Sequence, residues 1–318
     1  MGRAVNTVLT VTAAESAEPH HKNNDPFFTY EAGSFFYKYI KGSAMRFVMM
    51  HFVMVSIALL TLSSTAIADD NIFNSTKALK EQVARLGDEA TGVVKTPLDT
   101  EGYGFIGTLA VAGAVGITYI FDDDIRTKLA GSKSKGLDKA TDAGTMIGDP
   151  LLHIGIAAAV YGGGILANSP RWKETGEMLG EAIILADATT VVLKESFGRA
   201  RPFVNGDKGS FKSAQFTSDY DSLPSMHTSS SFAMASVMAA KSESIATKAA
   251  YYSAATFVGF SRMYQDKHWA SDVVLGAAIG ELCGRIVIAT HQMKERSNVS
   301  LVPLVSANSA GMAVAGRW

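Results

Sequence analysis

The chain has 318 residues, with 29 Lys and Arg against 30 Asp and Glu, and one cysteine, Cys283. A formal net charge of −1 gives no global field for nucleic acid, the hydrophobicity is too high for disorder, and Cys283 has no partner for a disulfide scaffold. Apolar residues make up 47% and charged residues only 19%, with 29 Gly, a balance that suits tightly packed helices in water or in lipid.

In chain order, residues 1–44 are mixed and polar and have no apolar period; we read them as an upstream extension of the reading frame, non-native or disordered, with Met45 as the start. Arg46 then supplies a positive charge, Phe52 to Leu62 is an apolar run, and Ser63 to Ala68 ends in A-x-A. That layout predicts a secretory signal peptide over 45–68, cleaved after Ala68. Its apolar run is well short of the ~20 residues that span a bilayer.

Residues 69–98 contain a polar amphipathic helix, with Leu79, Val83, Leu86 and Ala90 at helical spacing. A domain over 99–292 follows, in which apolar segments recur at 105–121, 151–167, 179–193, 232–240, 249–260 and 273–290. Polar connections lie between 121 and 150 and between Pro202 and Pro224. In the tail, 293–318, Val299–Val305 and Met312–Trp318 read as a short β-hairpin. The expected fold is all-α, a bundle of about six core helices with that hairpin appended. Gly276, Gly280 and Gly284 fall every fourth residue, a spacing that lets two helices approach closely. Short segments and interior charges (Glu181, Asp187, Glu281, Arg285) favour an exported periplasmic domain, soluble or bound to a membrane surface. An integral inner-membrane protein with a periplasm-facing site is the alternative.

Three short segments concentrate polar groups beside apolar helices. Lys194 to Pro202 carries three cations before Gly198 and Pro202 break a helix. Pro224 to Ser231 places Ser225, Met226 and His227 at a helix entry, where free N–H groups face an anion. Ser261 to Asp272 holds Arg262, His268 and Asp272, the last two one helical turn apart. A carboxylate on one imidazole nitrogen fixes the tautomer and frees the other nitrogen to attack. Singly, each segment has a structural explanation in dipoles, caps or surface pairs. Together they supply cations, two imidazoles and an orienting carboxylate, which is what transfer of a tetrahedral phosphoryl group requires. His153 and His291 lack comparable neighbours in the sequence and read as structural.

At these residues the chain resembles the type 2 phosphatidic acid phosphatase (PAP2) superfamily, shared with class A bacterial acid phosphatases and vanadium haloperoxidases. The family pattern is K-x6-R-P, P-S-G-H and S-R-x5-H-x3-D. Lys194, Arg201 and Pro202 match the first part, Pro224, Ser225 and His227 the second, and Ser261, Arg262, His268 and Asp272 the third. Met226 stands where the family has Gly. The resemblance implies that His268 attacks phosphorus to give a phosphohistidine, with Asp272 holding its imidazole and His227 serving the leaving oxygen and then the water. Lys194, Arg201, Arg262, Ser225 and the backbone at Met226 would bind the phosphate, with no metal and no cofactor; vanadate would bind as a phosphate mimic. The implied activity is that of a metal-independent phosphatase on phosphate monoesters, of small molecules or of lipids, including pyrophosphates, with no nucleic-acid partner. A vanadate-dependent haloperoxidase and a non-catalytic phosphate-binding envelope protein are the alternatives.

Overall fold

The computed structural model describes residues 72–297, 299–306 and 309–316, with side-chain surroundings over 80–293. The chain divides into two units, 1–48 and 49–318, and every described residue belongs to the second. The expected extension over 1–44 and signal over 45–68 lie outside the described residues.

The described part is built from helices: α1 (Ile72–Lys95), a 3-10 turn, α2 (Gly104–Ile120), α3 (Asp122–Gly131), α4 (Lys135–Ile147), α5 (Pro150–Leu166), α6 (Pro170–Phe197), the single-turn α7 (Pro202–Asn205), α8 (Met226–Ala240), α9 (Ile245–Tyr264) and α10 (Ala270–Ser297). The fold is all-α. Local chemistry sets the boundaries. Asp149 caps α5 by accepting from the N–H groups of Leu151 and Leu152, and Pro150 occupies the first turn, where a missing N–H costs nothing. Ser169 and Pro170 repeat that arrangement at α6. Helix α6 ends on Gly198 at φ +59°, where a Cβ would lie 1.8 Å from the Lys212 carbonyl oxygen, so only glycine fits.

The polar stretch 121–150, expected as a connection, instead forms α3 and α4. Asp122, Asp123 and Asp124 sit in the first turn of α3, where the helix dipole favours them, and Ser134 caps α4.

The core is formed by α6, α8 and α10. Leu179, Ala182, Ile183 and Ala186 pack against Ala233 and Val237 and against Ile279, Cys283 and Val287. Small residues let α8 and α10 touch: a Cβ on Gly280 would lie 2.1 Å from the Ser229 carbonyl oxygen, and one on Gly276 2.5 Å from that of Ser225. The glycine stripe read from the sequence is thus the contact seam of two core helices.

The outer surface differs from that of a soluble bundle. Helix α2 buries no residue, and Ile106, Leu109, Ile117 and Ile120 are all more than half exposed. Leu151 and Leu166 continue the pattern on α5. One helical stretch, Ala270–Met293, is long and apolar enough to cross a membrane, or up to three spans if the bent pairs α2–α3 and α4–α5 each count as one. Of the interior charges that favoured a soluble domain, Glu181 points inward, 2% exposed and bonded to Arg85 and His291, whereas Arg285 is exposed and paired with Glu281. The soluble periplasmic form is therefore not supported. The hairpin expected in the tail is not supported as part of the fold either. The backbone pairs Val299–Ser306 with Ser309–Gly316, but nothing of those side chains is described, and the fold class rests on the helices.

Candidate active site

One end of the bundle gathers the C-terminal ends of α6 and α9 with the N-terminal ends of α8 and α10. The loop over 203–223 closes over it through backbone bonds from Lys212 N to Gly198 O, Arg201 N to Asp219 O and Ser222 N to Arg199 O. All the residues singled out by sequence lie here.

Lys194, in the last turn of α6, is 6% exposed, and its ammonium donates to the Asp221 carbonyl. Arg201 donates from Nε to Asp221 Oδ1 at 2.6 Å and from Nη1 to the Lys267 carbonyl at 3.3 Å. Arg262 donates from Nη1 to Thr145 Oγ1 at 3.0 Å, while its Nε is buried with no hydrogen-bond partner. Burial works against Asp221 ionising, but Lys194 and Arg201 overcome it and hold its carboxyl below the usual range. The same three cations act on both imidazoles. Burial first, then Arg201, Lys194 and Arg262, push His268 well below the ordinary histidine value; burial followed by Arg262, Arg201 and Lys194 does so for His227. Both shifts disfavour the imidazolium form.

His268 is 3% exposed, and its Nδ1 lies 2.7 Å from the Ser222 carbonyl oxygen. A carbonyl can only accept, so Nδ1 carries the proton and Nε2 keeps its lone pair. This corrects the expected partner. Asp272 Oδ2 is 3.7 Å from Nδ1, beyond hydrogen-bond distance, and accepts instead from Ser222 Oγ at 2.5 Å and Trp269 N at 2.9 Å. Asp272 therefore holds Ser222, and Ser222 holds the imidazole.

Ser225 is fully buried, and its Oγ accepts from Thr228 Oγ1 at 2.9 Å rather than capping α8. The first N–H groups of α8, beginning at the half-buried Met226, are left without that cap.

Beneath the site lies a residue the sequence reading passed over. Arg199, 1% exposed, donates from Nη1 to Asp272 Oδ1 at 2.6 Å and Ser271 Oγ at 2.7 Å, and from Nη2 to Asp122 Oδ2 at 2.8 Å. Its guanidinium also sits 5.0 Å from the Tyr119 ring centroid and 5.2 Å from that of Trp269. The R-A-R-P string contained the signal, but not which arginine faces inward. Among the described residues, the metal-ligand grouping lies elsewhere, far from these cations.

Comparison with known proteins gives three findings. The sequence pattern of the PAP2 superfamily matches residues 178–296, which contain every candidate residue. The chain is 31% identical over 192 residues to a lipid A 1-phosphatase of Porphyromonas gingivalis; the match covers 56% of this chain and 37% of that protein, so the chain spans little more than a third of the relative's length. Two solved structures are similar: Aquifex aeolicus LpxE (20% identity, TM-score 0.39, 52% of this chain and 93% of that one) and a transmembrane PAP2-type phosphatidylglycerolphosphate phosphatase from Bacillus subtilis (18% identity, TM-score 0.46, 64% and 98%).

Proposed function

We propose, from the premise that this chain belongs to the PAP2 superfamily, that it is a membrane-embedded, metal-independent phosphatase that hydrolyses lipid phosphate monoesters through a phosphohistidine. One observation carries the reading: a buried imidazole whose Nδ1 faces the Ser222 carbonyl, leaving Nε2 for attack, among three cations, one of which has an unpartnered donor.

In the first step the Nε2 lone pair of His268 forms the N–P bond. The P–O bond to the lipid alcohol breaks, and the leaving oxygen takes its electron pair and a proton from His227. The incoming phosphate supplies negative charge that offsets the three cations, and this raises the proton affinity of His227. In the second step water attacks phosphorus and gives a proton to His227, the N–P bond breaks, and inorganic phosphate leaves. Lys194, Arg201 and Arg262 neutralise the phosphoryl oxygens, with the α8 N-terminus and Ser225 beside them. Met226 offers the same backbone N–H as the family glycine, and its side chain has to point away from a bound phosphate.

The apolar outer faces of α2 and α5, and the length and apolar composition of Ala270–Met293 in α10, support residence in a bilayer. The site sits at the level where α2 ends, since Lys208 of the site loop donates to the Ile120 carbonyl. That placement suits a headgroup at the membrane surface, and the lipid A 1-phosphatase relative points to the same substrate class. Purified chain in detergent is expected to release phosphate from phosphatidate or lipid A with a kcat/KM on the order of tenfold or more above that for p-nitrophenyl phosphate, because remote binding energy is used at the transition state. No release from any ester, or equal rates for lipid and small esters, would sink the proposal.

The site also predicts a pH dependence. Burial lowers Lys194 to about 8, against the opposing pull of Asp221. A lysine with a lowered value loses its charge as pH rises through that value, so kcat/KM is expected to decline above about pH 8. In Lys194→Arg, which keeps its charge, that decline is expected to move upward; a decline unmoved by the substitution contradicts the assignment.

A further inference from the structure

The bundle holds a second group of converging side chains, at the end opposite the phosphate site. Helix α1 lies against α6 and α10 there. Glu89 of α1, Glu181 of α6 and His291 of α10 bring one ligand atom each to within 4.8 Å of one another, and all three are buried. His291 reads as structural from the sequence; its Nε2 lies 2.7 Å from Glu181 Oε2, across a chain separation of 110 residues.

Glu89 is the telling member. It is 0% exposed, and neither of its carboxylate oxygens has a hydrogen-bond partner. A desolvated carboxylate without a partner is costly, so this position requires a proton or a cation. The charges favour a cation. Glu181 and Glu177 share the single guanidinium of Arg85, which donates from Nε to Glu181 Oε1 at 2.9 Å and has Nη2 3.6 Å from Glu177, while Glu89, one turn along the same helix, has no bond to it. Glu174 is matched separately by Lys241 at 2.7 Å. With all three ionised, three carboxylates against one arginine would carry an excess of two negative charges, the amount that one divalent ion balances. The imidazole Nε2 faces the cluster, while Nδ1 lies 3.7 Å from Glu174 Oε1, beyond hydrogen-bond distance.

We propose that Glu89, Glu181 and His291 bind one divalent first-row metal ion, of the zinc type, that pins α1 to the bundle. Two carboxylate oxygens and one imidazole nitrogen suit such an ion better than calcium, which takes six or more oxygens. The ion has no part in phosphoryl transfer, because it lies at the other end of the helices.

The test uses the full chain in detergent, free of any histidine tag, stripped with chelator and reloaded with Zn2+. The expected result is about one zinc per chain, a thermal midpoint that rises on reloading as ligand linkage requires, and X-ray absorption showing oxygen and nitrogen neighbours at ~2.0–2.2 Å. Glu89→Gln and His291→Gln are each expected to weaken zinc binding by about tenfold or more, while His268→Ala keeps it. Zinc at background in the wild type, a midpoint indifferent to chelator and metal, or sulfur-only coordination overturns the proposal. So does a Glu89→Gln chain as stable as the metal-loaded wild type, which would mark Glu89 as a neutral buried acid. Should either variant fail to fold, zinc content and absorption of the wild type decide the matter alone.

Discussion

Replacing His268 with alanine is expected to lower phosphate release by about 10^4-fold or more while leaving the thermal midpoint nearly unchanged. Removal of a nucleophile leaves only binding and electrostatic contributions, and losses of that order are usual for groups that act as a unit. The local structure explains why folding should survive. The His268 side chain contributes one hydrogen bond, to the Ser222 carbonyl, in the short connection between α9 and α10, and the backbone bond from His268 N to Arg262 O survives the substitution. Ser222 remains fixed through its own N–H to Arg199 O and its Oγ to Asp272. Steady-state phosphate release and a melting curve, measured on the same preparation, check both halves. A variant with more than about a hundredth of wild-type activity removes His268 from the nucleophile role.

Arg199→Met is expected to have the largest effect on stability, a loss of about 3–5 kcal/mol. Asp122 and Asp272 are both buried to within 1% of full exclusion, and Arg199 is the cation bonded to each. Methionine fills similar space but leaves two desolvated carboxylates facing one another. An exposed pair is the useful contrast: Arg285 and Glu281 also form a salt bridge, but the Arg285 side chain is 74% exposed, and such pairs contribute only ~0–1 kcal/mol. Denaturant titration of the two variants, Arg199→Met and Arg285→Met, measures the difference. Equal losses contradict the assignment of Arg199 as the support beneath the site. Activity should fall with Arg199→Met as well, because Asp272 then no longer holds Ser222 in register.

The sequence made much of this site legible because its chemistry is carried by side chains at fixed local spacing. Lys194 and Arg201 bracket a helix end that Gly198 and Pro202 must break, and Arg262 and His268 bracket the turn between two apolar helices. The glycines at 276, 280 and 284 could likewise be read as a close seam, because only backbone approach needs that period. What escaped was carried by backbone atoms or by distant pairing. The group that orients His268 is the carbonyl of Ser222, and a carbonyl is the same in every residue. Asp272, one turn from His268, was the natural choice by spacing, yet its oxygens are taken by Arg199, Ser222 and Trp269. Asp122 joins Arg199 across 77 positions and belongs to a helix built from a polar stretch with little apolar period. His291 had no company in the sequence because its partners come from α1 and α6, whose polar positions face inward against the usual pattern.

The central claim is that His268 becomes covalently phosphorylated. Wild-type enzyme mixed with a 32P-labelled lipid phosphate and quenched in alkali, where phosphohistidine survives, tests it directly. The account predicts label on one peptide, at Nε2 of His268, that vanishes on acidification and is absent from His268→Ala. Phosphate release at the full wild-type rate with no label on His268 at any quench time, or with label on another residue, would contradict it.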